Sequence, residues 1–103
     1  MSELSVPTVL RKAAAVVRLG WCQFYITKYS NLYCALGAIE VATHSTAERH
    51  PKVLAALVAV LPTPEHETRH SWIIANWNNA PGRTAEEVAE KMELAASKAK
   101  DNQ

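Results

Sequence analysis

The last third of the chain carries the pattern that most restricts its fold, a stripe of small apolar residues at helical spacing. Thr84 and Glu87 have the spacing of a capping box, which predicts a helix start immediately before the stripe. The stripe follows the i, i+3, i+4, i+7 rule and comprises Ala85, Val88, Ala89, Met92, Ala95, Ala96 and Ala99. Because alanine side chains are short, this face brings a partner helix close. The sequence therefore predicts a closely packed helical domain.

Two helices are predicted in the first half of the chain. Pro7 suits the first turn of a helix whose apolar residues keep helical spacing as far as Val17, and Gly20 ends it. Asn31 is a candidate N-cap for the second helix, "LYCALGAIEVAT". This helix is nearly free of charge, which predicts burial on most of its circumference, and Gly37 allows another backbone to approach closely. We expect the second helix to be the central one.

The third and fourth helices are each expected to begin at a proline. Pro51 follows a turn at residues 45–50 and starts a helix that Pro62 ends. Thr63 then has the position of an N-cap, and Pro64 the first position of a helix that continues through "HETRHSWIIANW".

The segment between the first two helices differs from the rest of the chain. Residues 21–27, "WCQFYIT", are aromatic and β-branched, and we expect a short extended piece or half of a small hairpin there. The predicted fold class is mainly α, a compact single domain of about five helices with this one extended segment. The domain spans residues 1–103, and the ends, residues 1–6 and 98–103, are expected to fray.

Charge and hydropathy restrict the possible partners. The chain has 11 Lys and Arg against 10 Asp and Glu, a balance that disfavours tight nucleic-acid binding, which uses several clustered phosphate contacts. A weaker alternative is a nucleic-acid accessory protein that uses the basic residues of the first third, Arg11, Lys12, Arg18 and Lys28. No apolar run reaches the roughly 18–20 residues of a membrane span, and "MSELSVPTVLRK" lacks the apolar run of a signal peptide. We therefore expect a cytoplasmic protein with reduced cysteines and no membrane contact.

Three short blocks follow one another as "GWCQ", "CALGAI" and "WNNAPGRTAEEV". They resemble a small family of unknown function from actinobacteria and their phages, whose members read GW-x-Q, C-A-x-G-A and W-N-D-A-P-x-R-T-x-E-E-V. The resemblance covers about residues 8–97 and implies a shared fold and a phage or actinobacterial origin, but no established activity. The motif positions here are Trp21, Gln23, Cys34, Ala35, Gly37, Ala38, Trp77, Asn78, Ala80, Pro81, Arg83 and Thr84.

Asn79 departs from this pattern, because the family has Asp at that position. If the carboxylate performs chemistry in relatives, that chemistry is lost here. A role in a turn would survive, since Asn and Asp both bond their own backbone in turns.

Residues 66–70, "HETRH", fit the H-E-x-x-H pattern of zinc peptidases, in which two histidines one helical turn apart bind zinc and the glutamate activates water. Here His66 and His70 would be ligands and Glu67 the general base, with Glu90 as the third ligand. No predicted strand precedes this helix to hold a peptide, and His66 falls in its first turn. A zinc-dependent hydrolase or peptidase is therefore the alternative, and a helix start with partly exposed histidines is the favoured interpretation.

Cys34 is the second candidate for catalysis. It stands three residues after the predicted cap Asn31, where a helix dipole would stabilise its thiolate. It would also need a histidine base, which the sequence does not assign. A small buried cysteine is the favoured interpretation.

Trp72 marks a candidate contact surface. It lies five residues before Trp77, about 500° around a helix, so the two rings cannot share one narrow stripe. Trp77 is expected in the core. Trp72 falls nearer the other side of the helix, and filling a groove between helices is its favoured interpretation. The alternative is exposure at the surface beside Arg69 and Asn76, where Trp72 would serve as a protein contact. We therefore expect a non-enzymatic accessory domain, without metal or other cofactor, that binds a protein partner or its own copies.

Overall fold

The computed structural model describes residues 5–24 and 32–99, which form five α-helices. They are α1 (Val6–Leu19), α2 (Ala35–Thr43), α3 (Pro51–Val58), α4 (His70–Asn78) and α5 (Ala85–Ala99), with a 3-10 turn at Ala47–Arg49 after α2. These two ranges contain no β-strand, and an isolated parallel β-bridge joins Trp21 to Tyr33. The predicted fold class, mainly α with one short extended piece, is confirmed.

The first helix, and not the second as predicted, lies at the centre of the domain. α1 packs against α5, α2 and α3, and its contact with α5 is the most extensive of the helix pairs. The α1 face buried there comprises Pro7, Val9, Leu10, Ala13, Ala14 and Val17. With 14 residues α1 offers more surface than α2, which has nine and packs mainly on α1 and α4. The scarcity of charge in α2 therefore reflects burial between two neighbours and not a central position.

The antiparallel pairing of α1 with α5 confirms the close packing expected of the alanine stripe. Val88, Ala89, Met92, Ala95 and Ala96 of α5 are buried. Thr84 and Glu87 also form the predicted capping box: the Glu87 N–H donates to Thr84 Oγ1 at 3.2 Å, and the Thr84 N–H donates to Glu87 Oε1 at 3.0 Å. Two backbone N–H groups at the helix start, those of Thr84 and Glu87, thus find partners within the box, which fixes where α5 begins.

The second helix starts later than the sequence suggests. Cys34, in extended conformation, is the N-cap of α2, and its Sγ accepts from the Gly37 N–H at 3.4 Å. The β-bridge between Trp21 and Tyr33 explains the delay, because it holds the residue before Cys34 in an extended strand conformation. The predicted cap, Asn31, lies outside the described residues.

The fourth helix begins at His70 and not at Pro64, so the prediction of a helix through residues 64–69 is wrong. The Thr63 hydroxyl donates to the Leu61 carbonyl at 3.3 Å and does not cap a helix. The Glu67 N–H instead closes a turn onto the Pro64 carbonyl at 3.2 Å. These local bonds give the segment an alternative to helical hydrogen bonding.

The chain ends are ordered as far as the structure describes them. The Ser5 side chain caps α1 by accepting from the Thr8 N–H at 3.2 Å, and α5 continues to Ala99. The remaining terminal residues, where fraying is predicted, lie outside the described ranges. None of the described helices combines the length and the apolarity needed to span a bilayer.

Candidate functional site

Asn78, the last residue of α4, is a fully buried polar side chain whose hydrogen-bonding capacity is filled. Its Oδ1 accepts from Trp21 Nε1 at 2.7 Å and from the Ala35 N–H at 3.0 Å. Its Nδ2 donates to the Cys22 carbonyl at 3.2 Å and to Asn79 Oδ1 at 3.0 Å. A carboxamide has two donors and two acceptor lone pairs, so every one of them is used. A satisfied buried network of this kind fixes the elements that it joins.

The Asn78 carboxamide takes the place of a backbone rung in the β-bridge. The Tyr33 N–H donates to the Gly20 carbonyl at 2.9 Å, and the Cys22 N–H donates to the Tyr33 carbonyl at 3.2 Å. In a regular parallel ladder the next bond would run from the Ala35 N–H to the Cys22 carbonyl. Asn78 bonds both of these groups. The side chain therefore satisfies two backbone groups and ends the strand pairing where α2 begins.

Gln23 and Asn79 hold the chain that follows the bridge. Gln23 Nε2 donates to the carbonyls of Asn78 at 3.2 Å and Ala80 at 2.9 Å. The Phe24 N–H donates to Asn79 Oδ1 at 2.7 Å. Phe24 has a φ of +74° and a side chain that is 69% exposed. A positive φ is strained for a bulky aromatic residue, so these bonds hold Phe24 in an unfavourable conformation at the surface.

The Asn79 contacts explain why an aspartate would also fit at this position. Both bonds that Asn79 makes here use its Oδ1, which accepts from the Phe24 N–H and from Asn78 Nδ2. A carboxylate oxygen would accept the same two bonds. These contacts differ from the expected bond to the residue's own backbone, because Asn79 Oδ1 binds a backbone group 55 residues away.

Arg83 closes the turn between α4 and α5. Its guanidinium carbon lies 4.0 Å from the centre of the Trp77 ring, and Nε donates to the Trp77 carbonyl at 3.0 Å. The stacking and the hydrogen bond together cap the C-terminal end of α4. An open groove of about 450 Å³ lies beside this pair, lined also by Glu87, Glu90 and Leu94.

The three sequence blocks meet at this junction. Trp21 and Gln23 come from the first block, Cys34 precedes the Ala35 N–H of the second, and Asn78 belongs to the third. Trp77 is buried in the core, as predicted. The other motif positions support the surrounding helices: Gly37 is buried in α2, Thr84 caps α5, and Pro81 lies in the exposed turn. The arrangement explains the blocks as a structural junction.

Comparison with known protein families shows to which family this chain is related. The sequence profile of a family of unknown function, DUF6197, matches residues 1–98. The chain belongs to this family. No curated protein and no solved structure matches it. Membership of DUF6197 confirms the resemblance at the level of a family without a known activity.

The "HETRH" segment does not adopt the geometry of a zinc peptidase in this DUF6197 member. His66 lies in a turn before α4 and His70 is its first residue, so the two do not stand one helical turn apart. Glu67 bonds Arg69 and so is not poised as a base: its carboxylate accepts from Arg69 Nε and from the Arg69 N–H, each at 2.8 Å. Among the described residues no group of three or more His, Cys, Asp or Glu is placed to hold a metal ion, and Glu90 is exposed on α5.

Arg69, Trp72 and Asn76 form the exposed side of α4, which we name the Trp72 face. Trp72 is 40% exposed, and Arg69 and Asn76 are also exposed. The Arg69 guanidinium carbon lies 5.7 Å from the centre of the Trp72 ring. Arg69 Nη2 donates to Glu67 Oε1 at 2.8 Å, so the ion pair is bidentate. The Arg69 ion pair lowers the pKa of Glu67 to about 2, so this carboxylate stays ionised at pH values where an ordinary glutamate is protonated.

Cys34 has the surroundings of a structural cysteine. It is buried, and burial raises the pKa of its thiol, although the hydrogen bond from the Gly37 N–H opposes the shift. A raised pKa keeps most of the thiol protonated at neutral pH, which disfavours Cys34 as the first nucleophile toward a group that arrives from solution. As the N-cap, it also stands before the helix and not three residues inside it, so that part of the prediction is wrong.

The basic residues of α1 are partly neutralised by α5. The Arg18 guanidinium binds Glu86 at 2.7 Å and also binds Glu93. Arg11 and Lys12 are exposed, and Lys28 lies outside the described residues. One of the cations considered for nucleic-acid binding is therefore an inter-helix contact.

Sequence reasoning identified Asn78 as a motif position but missed what it does. Its partners Trp21 and Ala35 are 57 and 43 residues away in the chain. A usable signal was present, because an asparagine that directly follows a core tryptophan has to find partners when it is buried. The stacking of Arg83 on Trp77 was also missed, although the two residues enclose one short turn.

Proposed function

We propose that this DUF6197 member is a small accessory protein that acts by binding another protein, a host partner or a second copy, through the Trp72 face. The observation that carries the proposal is the Arg69 guanidinium over a Trp72 ring that is 40% exposed. Tryptophan and arginine are the residue types most enriched among interface positions that dominate binding energy. Asn76 supplies a polar group beside them.

The ion pair next to the ring supports this assignment. Arg69 is held by two parallel hydrogen bonds to Glu67 and by the Glu67 bond to its own backbone N–H. A side chain that is already fixed loses less rotamer entropy on binding, so more of the contact energy is retained as affinity. The face is thus pre-organised in the unbound protein.

The resemblance to a family from actinobacteria and their phages extends the proposal to the biological setting. An actinobacterial or phage origin would make a host protein the natural partner, and a cytoplasmic location would place the two together. The partner's surface would need an apolar pocket for an indole ring and an acceptor for the edge of a guanidinium.

The proposal is tested by photo-crosslinking in the producing cell. A photoreactive amino acid at position 76 is expected to capture one protein, or a second copy, in a discrete adduct. The yield of this adduct should fall strongly when Trp72→Ala is introduced. Leu19→Ala is the matched control, because Leu19 is also an exposed apolar side chain but lies on α1. Capture that is indifferent to Trp72→Ala would refute this surface.

Affinity and stability separate a contact role from a packing role. Trp72→Ala is expected to leave the thermal midpoint nearly unchanged and to weaken association by about tenfold or more, since loss of such an anchor costs more than about 1–2 kcal/mol. Association is measured by sedimentation for self-binding and by titration calorimetry for a captured partner. A strongly lowered midpoint would show that Trp72 fills a groove between helices and does not serve as a contact surface.

A further inference from the structure

The two cysteines occupy neighbouring positions in the structure although 11 residues separate them in the chain. Cys22 follows Trp21 and Cys34 follows Tyr33, and those two preceding residues are partners in the parallel β-bridge. Side chains alternate between the faces of a strand, so Cys22 and Cys34 both lie on the face opposite to the bridge pair. No disulfide joins Cys22 to Cys34 in this structure.

The backbone spacing at this point suits a disulfide. Neighbouring strands lie about 4.7–4.9 Å apart. The Asn78 carboxamide bonds both the Cys22 carbonyl and the Ala35 N–H and takes the place of a direct bond between them. Disulfides span Cα separations of about 4.4–6.8 Å, most often near 5.5–6 Å. The Cys22 N–H donates to the Tyr33 carbonyl at 3.2 Å, and this hydrogen bond keeps the two chain segments adjacent where the cysteines lie.

The two thiols differ in accessibility, as the members of a redox pair do. Cys22 is partly exposed, whereas Cys34 is buried. Burial is the main cause that raises the pKa of the Cys34 thiol, and the electrostatic influence of Cys22 raises it further. An oxidant from solution would therefore meet Cys22 first, and Cys34 would be protected from it.

We propose that Cys22 and Cys34 form a reversible redox site, in which Cys22 is the attacking and Cys34 the resolving thiol. The Cys22 thiolate attacks one sulfur of a small-molecule disulfide, forms a mixed disulfide and releases one thiolate. Cys34 loses its proton and its sulfur attacks Cys22 Sγ, which releases the second thiolate. The protein dithiol loses two protons and two electrons, and the small disulfide gains them as two thiols.

The bond would join the end of α1 to the start of α2 covalently. Gly20 follows α1, and Cys34 caps α2, so the crosslink closes the chain between the two helices. Constraining that loop in the unfolded chain stabilises the folded state. The oxidised form is therefore expected to have a higher thermal midpoint than the reduced form.

The test uses the intact protein and glutathione disulfide as the oxidant. The native wild type is expected to lose the mass of two hydrogen atoms, to form no disulfide between two chains, and to show a raised thermal midpoint that dithiothreitol reverses. Cys34→Ser should instead accumulate glutathione on Cys22, since the resolving thiol is absent. Serine is a favourable N-cap, so this variant retains the start of α2. Cys22→Ser should remain unmodified over the same period.

Three outcomes would overturn the proposal. They are a wild type that accumulates stable glutathione adduct at Cys22, a wild type that is oxidised only in denaturant, and a disulfide between two chains. The first would show that Cys34 cannot reach Cys22, the second that the folded backbone forbids the bond, and the third that Cys22 pairs with another molecule.

Discussion

At the scale of single residues, the structure depends on one buried carboxamide. Asn78 bonds the indole of Trp21, the backbone of Ala35 and the backbone of Cys22, and so connects three distant parts of the chain. Buried polar groups need hydrogen-bond partners, and each of these bonds satisfies a second polar group as well as the Asn78 side chain. Loss of the side chain therefore leaves several groups without a partner.

Asn78→Ala is expected to destabilise the protein by about 3 kcal/mol or more, because each buried group left unsatisfied costs about 1–3 kcal/mol. The matched control is Asn79→Asp, which keeps the oxygen that accepts from the Phe24 N–H and from Asn78 Nδ2. Chemical denaturation of both variants checks the prediction. Similar free energies of unfolding for the two would mean that the junction contributes little.

At the scale of elements, α2 and α4 both begin later than their sequence signals predict, α2 because of a tertiary contact and α4 because of local hydrogen bonds. In α2 the helix starts at Ala35 because Tyr33 is held in the β-bridge. In α4 the segment before His70 has its own hydrogen bonds, between Glu67 and Arg69, and does not join the helix. Each helix is therefore shorter than the sequence predicts.

The small residues of α2 lead to a second prediction. Gly37 is buried, so Gly37→Leu is expected to destabilise by about 1–3 kcal/mol or more, because overpacking forces neighbouring side chains or backbones to move. Val41→Leu, at an exposed position of the same helix, should have little effect. Thermal denaturation compares the two. An unchanged midpoint for Gly37→Leu would show that this face of α2 is loosely packed.

The start of α4 determines what "HETRH" can bind. A zinc enzyme needs two helical histidines, a third ligand and a free base, and here Glu67 is paired with Arg69. Protein purified without added metal is expected to contain well under one zinc ion per chain, measured by inductively coupled plasma mass spectrometry. Glu67→Gln and Glu90→Ala should leave that content unchanged. Stoichiometric zinc that survives dialysis and depends on His66 and His70 would reverse this conclusion.

At the scale of the whole molecule, ion pairs connect the two longest helices at the surface. Arg18 of α1 binds Glu86 and Glu93 of α5. The hydrogen bond to Arg18 is the main cause that lowers the pKa of each of these carboxyls. Arg69 lowers the pKa of Glu67 to about 2 in the same way. Salt and solvent screen these exposed pairs, so each contribution is small.

Their pH dependence has a definite sign. A carboxyl whose pKa is lowered by folding stabilises the protein above its ordinary pKa, 4.5 for Glu67, and that contribution disappears as the pH falls toward the folded-state value of about 2. The thermal midpoint is therefore expected to fall between about pH 4.5 and pH 2. A variant with Glu67, Glu86 and Glu93 changed to Gln should lose less over this interval. Equal losses in both proteins, measured by calorimetry, would assign the acid sensitivity to other groups.

The sequence by itself determined the elements whose signals are local. The capping box of Thr84 and Glu87 spans four residues and fixes the start of α5, and Gly20 ends α1 as expected. The alanine stripe predicted close helix packing, because short side chains at helical spacing leave little room between backbones. The helical class and the core position of Trp77 follow from periodicity alone, whereas the sequence left the exposure of Trp72 open.

Only the tertiary structure decided the features that join residues far apart in the chain. Three partners of Asn78, namely Trp21, Cys22 and Ala35, lie 43 to 57 residues away, and no local pattern encodes which backbone groups one carboxamide will meet. The late start of α2, the pairing of Arg18 with α5 and the neighbouring positions of the two cysteines have the same origin. Short-range hydrogen bonds can be read from spacing, whereas these contacts form only when the packed helices bring the groups together.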